Sequence, residues 1–102
     1  MIKIAVDAMG GDNAPGEIVK GAVDAVAERN DIRVCLTGQK DVIEKELSKY
    51  TYKKDQIEIV DAPEVIETGE PPVNAIRKKK NSSLVVGLNL VKNGEADGFV
   101  SA

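Results

Sequence analysis

Histidine and tryptophan are absent from this 102-residue sequence, cysteine occurs once, and the only rings are Tyr50, Tyr52 and Phe99. Without histidine the sequence offers no His-based zinc site and no Ser-His or Cys-His nucleophile. A single cysteine, Cys35, excludes an intrachain disulfide and any Cys-rich metal cage. Three aromatics make no platform for stacked bases. A net charge of −3 lacks the excess of lysine and arginine on which general nucleic-acid affinity rests, so no nucleic-acid partner is expected. Long apolar runs are missing as well. The longest uncharged stretch, Asn81 to Val91, has 11 residues, too few to cross a bilayer. Lys3 and Asp7 interrupt the one apolar run at the N-terminus, so no secretory signal is visible and a cytoplasmic location is expected.

What is present reads as one soluble globular unit. Hydrophobic residues make up 42% and charged residues 30%, too apolar for a disordered chain. Ile2 to Val6 is a short apolar run that predicts a first strand. Ile18, Val19, Ala22, Val23 and Val26 then recur at helical spacing, with Pro15 suited to the helix start. Val34-Cys35-Leu36 predicts a strand covered on both faces and ended by Gly38. Asp41 with Glu44 three residues on reads as a capping-box variant, leading a helix that carries Ile43, Leu47 and Tyr50 on one face. Gln56 to Val60 predicts a third strand near a sheet edge. An irregular stretch from Asp61 to Pro72 follows, and Val73 to Lys80 suits one or two helical turns. Leu84, Val85, Leu88 and Val91 form a helical stripe, opened by Ser82 or Ser83 and closed at Gly94, before a fourth strand at Phe99-Val100.

The order β-α-β-α-β-loop-α-β predicts an α/β three-layer sandwich with a mostly parallel sheet and right-handed crossovers. No helix follows Val100-Ser101-Ala102 to cover that strand. Residues 1–102 are therefore expected to be the N-terminal portion of a single longer α/β domain.

Two loops carry the candidate chemistry. The first, "DAMGGDNAPGEIVKGAV" from Asp7 to Val23, joins the first strand to the first helix. In open parallel sheets ligands sit beyond the carboxyl ends of the strands, where this turn lies. Gly10 and Gly11 let the backbone approach a ligand without a Cβ in the way, and the helix start beyond them favours an anion. The familiar nucleotide loops do not fit. There is no G-x-G-x-x-G, and Gly16 to Gly21 is followed by Ala22 where a P-loop needs lysine. The same residues are also compatible with a plain glycine turn capped by Asp12 or Asn13. Asp7, at the end of the strand, either accepts hydrogen bonds from the loop's own amides, or acts on a proton or holds a metal-bound or hydrated ligand.

The second loop is "IRKKKNSSLVV", residues 76–86, which holds the one dense basic run, Arg77 to Lys80. Lysines set against the positive start of the next helix are unfavourable unless an anion lies between. Helix-end amides, the hydroxyls of Ser82 and Ser83 and one or two lysines suit a phosphate. Alternatively, the four cations pair with the acidic stretch that carries Glu58, Asp61, Glu64, Glu67 and Glu70, or stay solvated. Cys35, inside an apolar strand, reads as a core thiol and not a nucleophile.

At these residues a resemblance emerges. "IAVDAMGGDNAP" at positions 4–15, "EVIE" at 64–67, "IRKKKNSSLVV" at 76–86 and "ADGFVSA" at 96–102 closely resemble the start of the bacterial phosphate acyltransferase family, PlsX. Members are longer and continue past the final Ser-Ala with a Gly-Asn-Thr-Gly type loop. The resemblance implies transfer of a long fatty acyl group from acyl carrier protein to inorganic phosphate, giving acyl phosphate for phospholipid synthesis. It further implies a fold like the isocitrate and isopropylmalate dehydrogenases and the phosphotransacetylases, a homodimer, and peripheral contact with the membrane. No cofactor and no metal are expected. The region it points to holds Asp7 and Lys79 as the catalytic candidates. Gly10, Gly11, Asp12, Asn13, Lys80, Asn81, Ser82, Ser83 and Ser101 are the candidates for binding substrate. Two rivals stay open: a phosphotransacylase that uses acyl-coenzyme A, and a phosphate- or carrier-binding module that breaks no bond.

Overall fold

Alternating apolar runs and helical stripes become a four-stranded sheet with helices on both faces. The computed structural model describes residues 2–10, 13–64 and 79–101. Its strands are β1 (Ile2–Asp7), β2 (Ile32–Gly38), β3 (Ile57–Asp61) and β4 (Gly98–Val100), and its helices α1 (Gly16–Glu28), α2 (Lys40–Leu47) and α3 (Ser83–Lys92). Every pairing is parallel and the order is β3-β2-β1-β4. The expected α/β layout and mostly parallel sheet are therefore present. The third strand lies at one edge of the described sheet, as its half-alternating sequence indicated.

Register decides which residues face which layer. Ile4 pairs with Val34, Val6 with Leu36, and these two β2 residues pair in turn with Ile57 and Ile59. With period-two alternation this makes one apolar face. Val19, Val23 and Val26 of α1 and Ile43 and Leu47 of α2 pack on it to form the main core. The opposite parity sends Lys3, Ala5, Asp7, Cys35, Thr37 and Glu58 to the other face, which α3 covers against β1, β2 and β4.

That second face is more polar. Near its amino end Glu58 Oε2 lies 3.2 Å from Lys3 Nζ and 3.8 Å from Arg33 Nη2. The hydrogen bond from Lys3 holds the Glu58 carboxyl below its ordinary range and raises the Lys3 ammonium. The Glu58 share of stability is thus fully present above its unfolded pKa and fades as the pH falls through the lowered folded value.

Two helix details depart from the sequence expectation. Asp41 does not cap α2: the helix begins two residues earlier than that cap implies, at Lys40 with Gln39 at the N-cap, and Asp41 already lies in the first turn. The Lys40 amide is instead accepted at 3.2 Å by Asp61 Oδ1, a carboxylate brought from the end of β3. Tyr50 falls beyond the end of α2 but still packs against the core. In α3 the cap is as expected, Ser82 Oγ accepting from the Val85 amide at 3.3 Å, and Gly94 follows the helix at φ 77°. Its apolar stripe, however, is not the buried face. Ser83 and Gly87 are buried, while Leu88 is 45% exposed. The reason is Phe99 of β4, whose ring lies where a Gly87 side chain would stand. The predicted turns over Val73 to Lys80 lie outside the described residues up to position 78.

Candidate functional site

The strand order reverses between β1 and β4. From β1 the chain steps one way through α1 and α2 to β2 and β3, then returns through α3 on the opposite face to β4. In open α/β sheets this reversal opens a crevice at the carboxyl ends of the two strands, where ligands bind. Because Val6 pairs with Val100, the next residues, Asp7 and Ser101, meet there.

Asp7 is 5% exposed and both of its oxygens are engaged. Oδ1 accepts from the Met9 amide at 3.0 Å and Oδ2 from the Ser101 hydroxyl at 3.1 Å. Gly10 closes the cluster. A Cβ at this position would stand 2.9 Å from Asp7 Oδ2 and 3.2 Å from Ser101 Oγ, so only glycine lets the loop pass this close. Asn13 is exposed and lies just ahead of α1, where its backbone carbonyl accepts from the Glu17 amide at 3.2 Å. Gly11 and Asp12 lie outside the described residues.

The second loop forms a tight turn into α3. The Ser82 amide donates to the Lys79 carbonyl at 3.1 Å, and Asn81 exchanges hydrogen bonds with Glu64: its amide donates to Glu64 Oε1 at 3.0 Å and its carbonyl accepts from the Glu64 amide at 3.2 Å. Among the described residues, Glu64 of the preceding acidic stretch thus meets this loop at the Asn81 backbone. Lys80 and Asn81 are exposed, Lys79 is half-buried, and Ser82 and Ser83 are buried. First-turn amides have no intrahelical acceptor, so the start of α3 presents donors and a partial positive charge at the sheet edge. Arg77 and Lys78 lie outside the described residues, as do positions 65–67 and 102.

Thr37 and Met9, which sequence reasoning missed, tie the corners together. Thr37 pairs with Asp7 in the sheet and is fully buried. Its carbonyl accepts from the Ala8 amide at 2.9 Å, and its hydroxyl donates to the Ser83 carbonyl at 2.8 Å. The glycine corner and the serine corner therefore share one strand end. Met9 packs over Gly38, where a Cβ would fall 2.7 Å from Met9 Cγ and 3.0 Å from Ile43 Cδ1. The methionine of the opening loop is its anchor on the other face of the sheet.

Cys35 lies on the α3 face but is 1% exposed, and burial pushes its thiol up to about 11. It is protonated at neutral pH and is no nucleophile. Among the described residues no group of three or more Cys, Asp or Glu is placed to hold a metal ion. Nor is any described helix long and apolar enough to cross a membrane. What the cluster offers is a carboxylate-braced glycine turn beside a serine-capped helix start flanked by lysines, a set of donors suited to an oxyanion.

Comparison with known proteins covers nearly the whole chain. Residues 2–102 match the family described as "Fatty acid synthesis protein". The protein named "Phosphate acyltransferase" from Clostridium botulinum (strain Alaska E43 / Type E3) is 54% identical over 101 residues, which cover 99% of this chain and 30% of that protein. Proteins of the same name from Clostridium tetani and Clostridioides difficile are each 52% identical over 101 residues, covering 30% and 29% of their lengths. The chain thus spans about 30% of the length of the curated relatives it matches. With the match running unbroken from β1 through the Ser82 turn to Ser101, the chain belongs to the fatty acid synthesis protein family.

Proposed function

We propose that this chain supplies the phosphate-holding edge of an acyltransferase that moves a long-chain fatty acyl group from acyl carrier protein to inorganic phosphate. The observation that carries the reading is the 54% identity, over 99% of the chain, to a protein named phosphate acyltransferase. The geometry agrees with it, because both candidate loops end at one sheet edge and meet through Thr37.

A phosphate oxygen attacks the thioester carbonyl carbon and a C–O bond forms. The resulting tetrahedral oxyanion collapses, the C–S bond breaks, and the carrier leaves as thiolate; the proton that the attacking hydrogen phosphate gives up makes it free thiol, and acyl phosphate remains. Phosphate is itself the nucleophile and the thioester is already activated, so the absence of histidine and the inert Cys35 are no obstacle. The protein's task is to position a dianion and to stabilise the developing negative charge. Lys79, Lys80, Ser82, Ser83 and the first amides of α3 hold the phosphate in this reading, with Gly10, Gly11 and Asn13 facing it. Asp7 and Asp12 orient the loop, and Ser101 borders the crevice. The remaining features follow from the same reading: an isocitrate dehydrogenase-like three-layer fold of which residues 1–102 form the N-terminal portion, a homodimer, and a cytoplasmic protein that touches the membrane peripherally.

The test is release of free thiol from acyl-acyl carrier protein by the full-length chain, expected only when phosphate is present. Replacing Lys79 and Lys80 together by alanine is expected to raise the KM for phosphate by ~20-fold, the scale of charge-assisted hydrogen bonds, with little change in melting temperature. Turnover confined to coenzyme A esters would favour the rival transferase, and binding without turnover a docking module. A collapse of the melting temperature in the double variant would make the lysines structural.

A further inference from the structure

We propose that Thr37 is a positioning residue of this site: its hydroxyl sets the height of the α3 first turn above the sheet edge and thereby tunes the affinity for phosphate. The inference rests on the functional reading above and deepens it.

Thr37 sits at the carboxyl end of the central strand β2, fully buried, with its side chain on the α3 face. A threonine there needs a partner for its hydroxyl, since a buried unpaired O–H is costly. Two carbonyls are within reach, Ser83 at 2.8 Å and Val6 at 3.3 Å. The single hydroxyl proton goes to the nearer one. The choice of Ser83 is informative, because its carbonyl already belongs to the α3 ladder and does not depend on Thr37 for a donor. The bond therefore adds little to the integrity of the helix. What it fixes is where the first turn of α3 rests relative to β2.

The backbone of the same residue does the corresponding work for the other loop. The Thr37 carbonyl accepts from the Ala8 amide, the first residue after Asp7, at 2.9 Å. One residue thus spaces the glycine turn and the serine-capped turn, with Asp7 as its register partner in β1. A methyl group in place of the hydroxyl needs about 3.3 Å or more from a carbonyl oxygen. It would lift the α3 start by a few tenths of an ångström and leave the Ala8 bond untouched. Donors aimed at an oxyanion lose much of their effect on such displacement. Valine is close in shape to threonine and suits a strand, so the fold should persist.

The experiment is titration calorimetry of the full-length chain with inorganic phosphate, paired with steady-state kinetics, for wild type, Thr37→Val and Thr37→Ser. Thr37→Val is expected to weaken phosphate binding ~10-fold and to raise the KM for phosphate in step, the size of one net hydrogen bond, with kcat and the KM for the acyl donor within about twofold. Thr37→Ser, which keeps the hydroxyl, is expected to bind phosphate as wild type does. If Thr37→Val does not fold, Thr37→Ala, which removes the hydroxyl anchor and leaves the first turn of α3 unheld, is likewise expected to weaken phosphate binding. Unchanged phosphate affinity in the variant lacking the hydroxyl overturns the inference, as does an equal loss in Thr37→Ser, which would assign the effect to packing. If wild type turns over with phosphate while Thr37→Val is indistinguishable from it, only the positioning role falls. A wild-type chain that neither binds phosphate nor uses it overturns this inference together with the functional reading.

Discussion

In the full-length chain, Asp7→Ala is expected to lower the proposed phosphate-dependent acyl transfer by about 100-fold, the scale on which small misplacements of reacting groups act. Asp7→Asn should stay within about fivefold of wild type if bracing of the loop is what matters. The distinction follows from how the carboxylate is used. Oδ1 takes the Met9 amide and Oδ2 the Ser101 hydroxyl, which ties the glycine turn to the end of β4. Alanine removes both acceptors, leaving the Met9 amide and the Ser101 hydroxyl without this partner and the Gly10 backbone free to shift. Asparagine keeps an oxygen for Met9 and offers its amide to Ser101 Oγ, which turns its proton away and accepts. Steady-state rates for the two variants, with circular dichroism to confirm folding, decide the matter. A loss in Asp7→Asn as deep as in Asp7→Ala would require the negative charge itself and return Asp7 to proton transfer.

Gly87→Ala is the second large effect, and its sign is the informative part. In the middle of an exposed helix this substitution stabilises by about 1 kcal/mol, since glycine is the poorer helix former. Here we expect destabilisation by about 2 kcal/mol, from overpacking of a site with no room. A Cβ on Gly87 would run into the Phe99 ring, and Phe99 is held in register with Ala5 of β1. Relief requires the half-buried Phe99 ring to leave its place, α3 to rise from the sheet or β4 to move outward; the first loses packing between α3 and β4, and the other two disturb the edge that carries Ser83 and Ser101. Urea denaturation of the two proteins measures the difference. A more stable alanine variant would mean that the contact between α3 and β4 is loose and that Gly87 does not face the Phe99 ring.

Much of the architecture was legible because it rests on period. The strands at Ile2 and Val34 and the stripe of α1 come from spacing alone, and the parallel sheet follows from their alternation. Features set by distant partners were not legible. Nothing near Lys40 announces that its amide is capped by Asp61, so the local Asp41–Glu44 pattern suggested the wrong start for α2. The stripe of α3 misled for the same reason: Phe99, twelve residues beyond Gly87, decides which side of the helix can lie down. For the site, the general rule about strand ends pointed to Asp7, Gly10 and Ser101. Their contact needed β1 and β4 to be neighbours, and the strand order is not written in any one segment. Thr37 escaped notice altogether. A threonine ahead of a glycine is commonplace, and its role exists only through the register that sets it beside Asp7 and beneath Ser83.

A crystal of the full-length chain soaked in phosphate tests the central claim most directly. Tetrahedral density is expected at the carboxyl edge of β1 and β4, bounded by the Gly10 turn on one side and the Ser82–Ser83 start of α3 on the other. Phosphate bound elsewhere at saturating concentration, with that crevice holding none while the protein still consumes phosphate, would contradict the account.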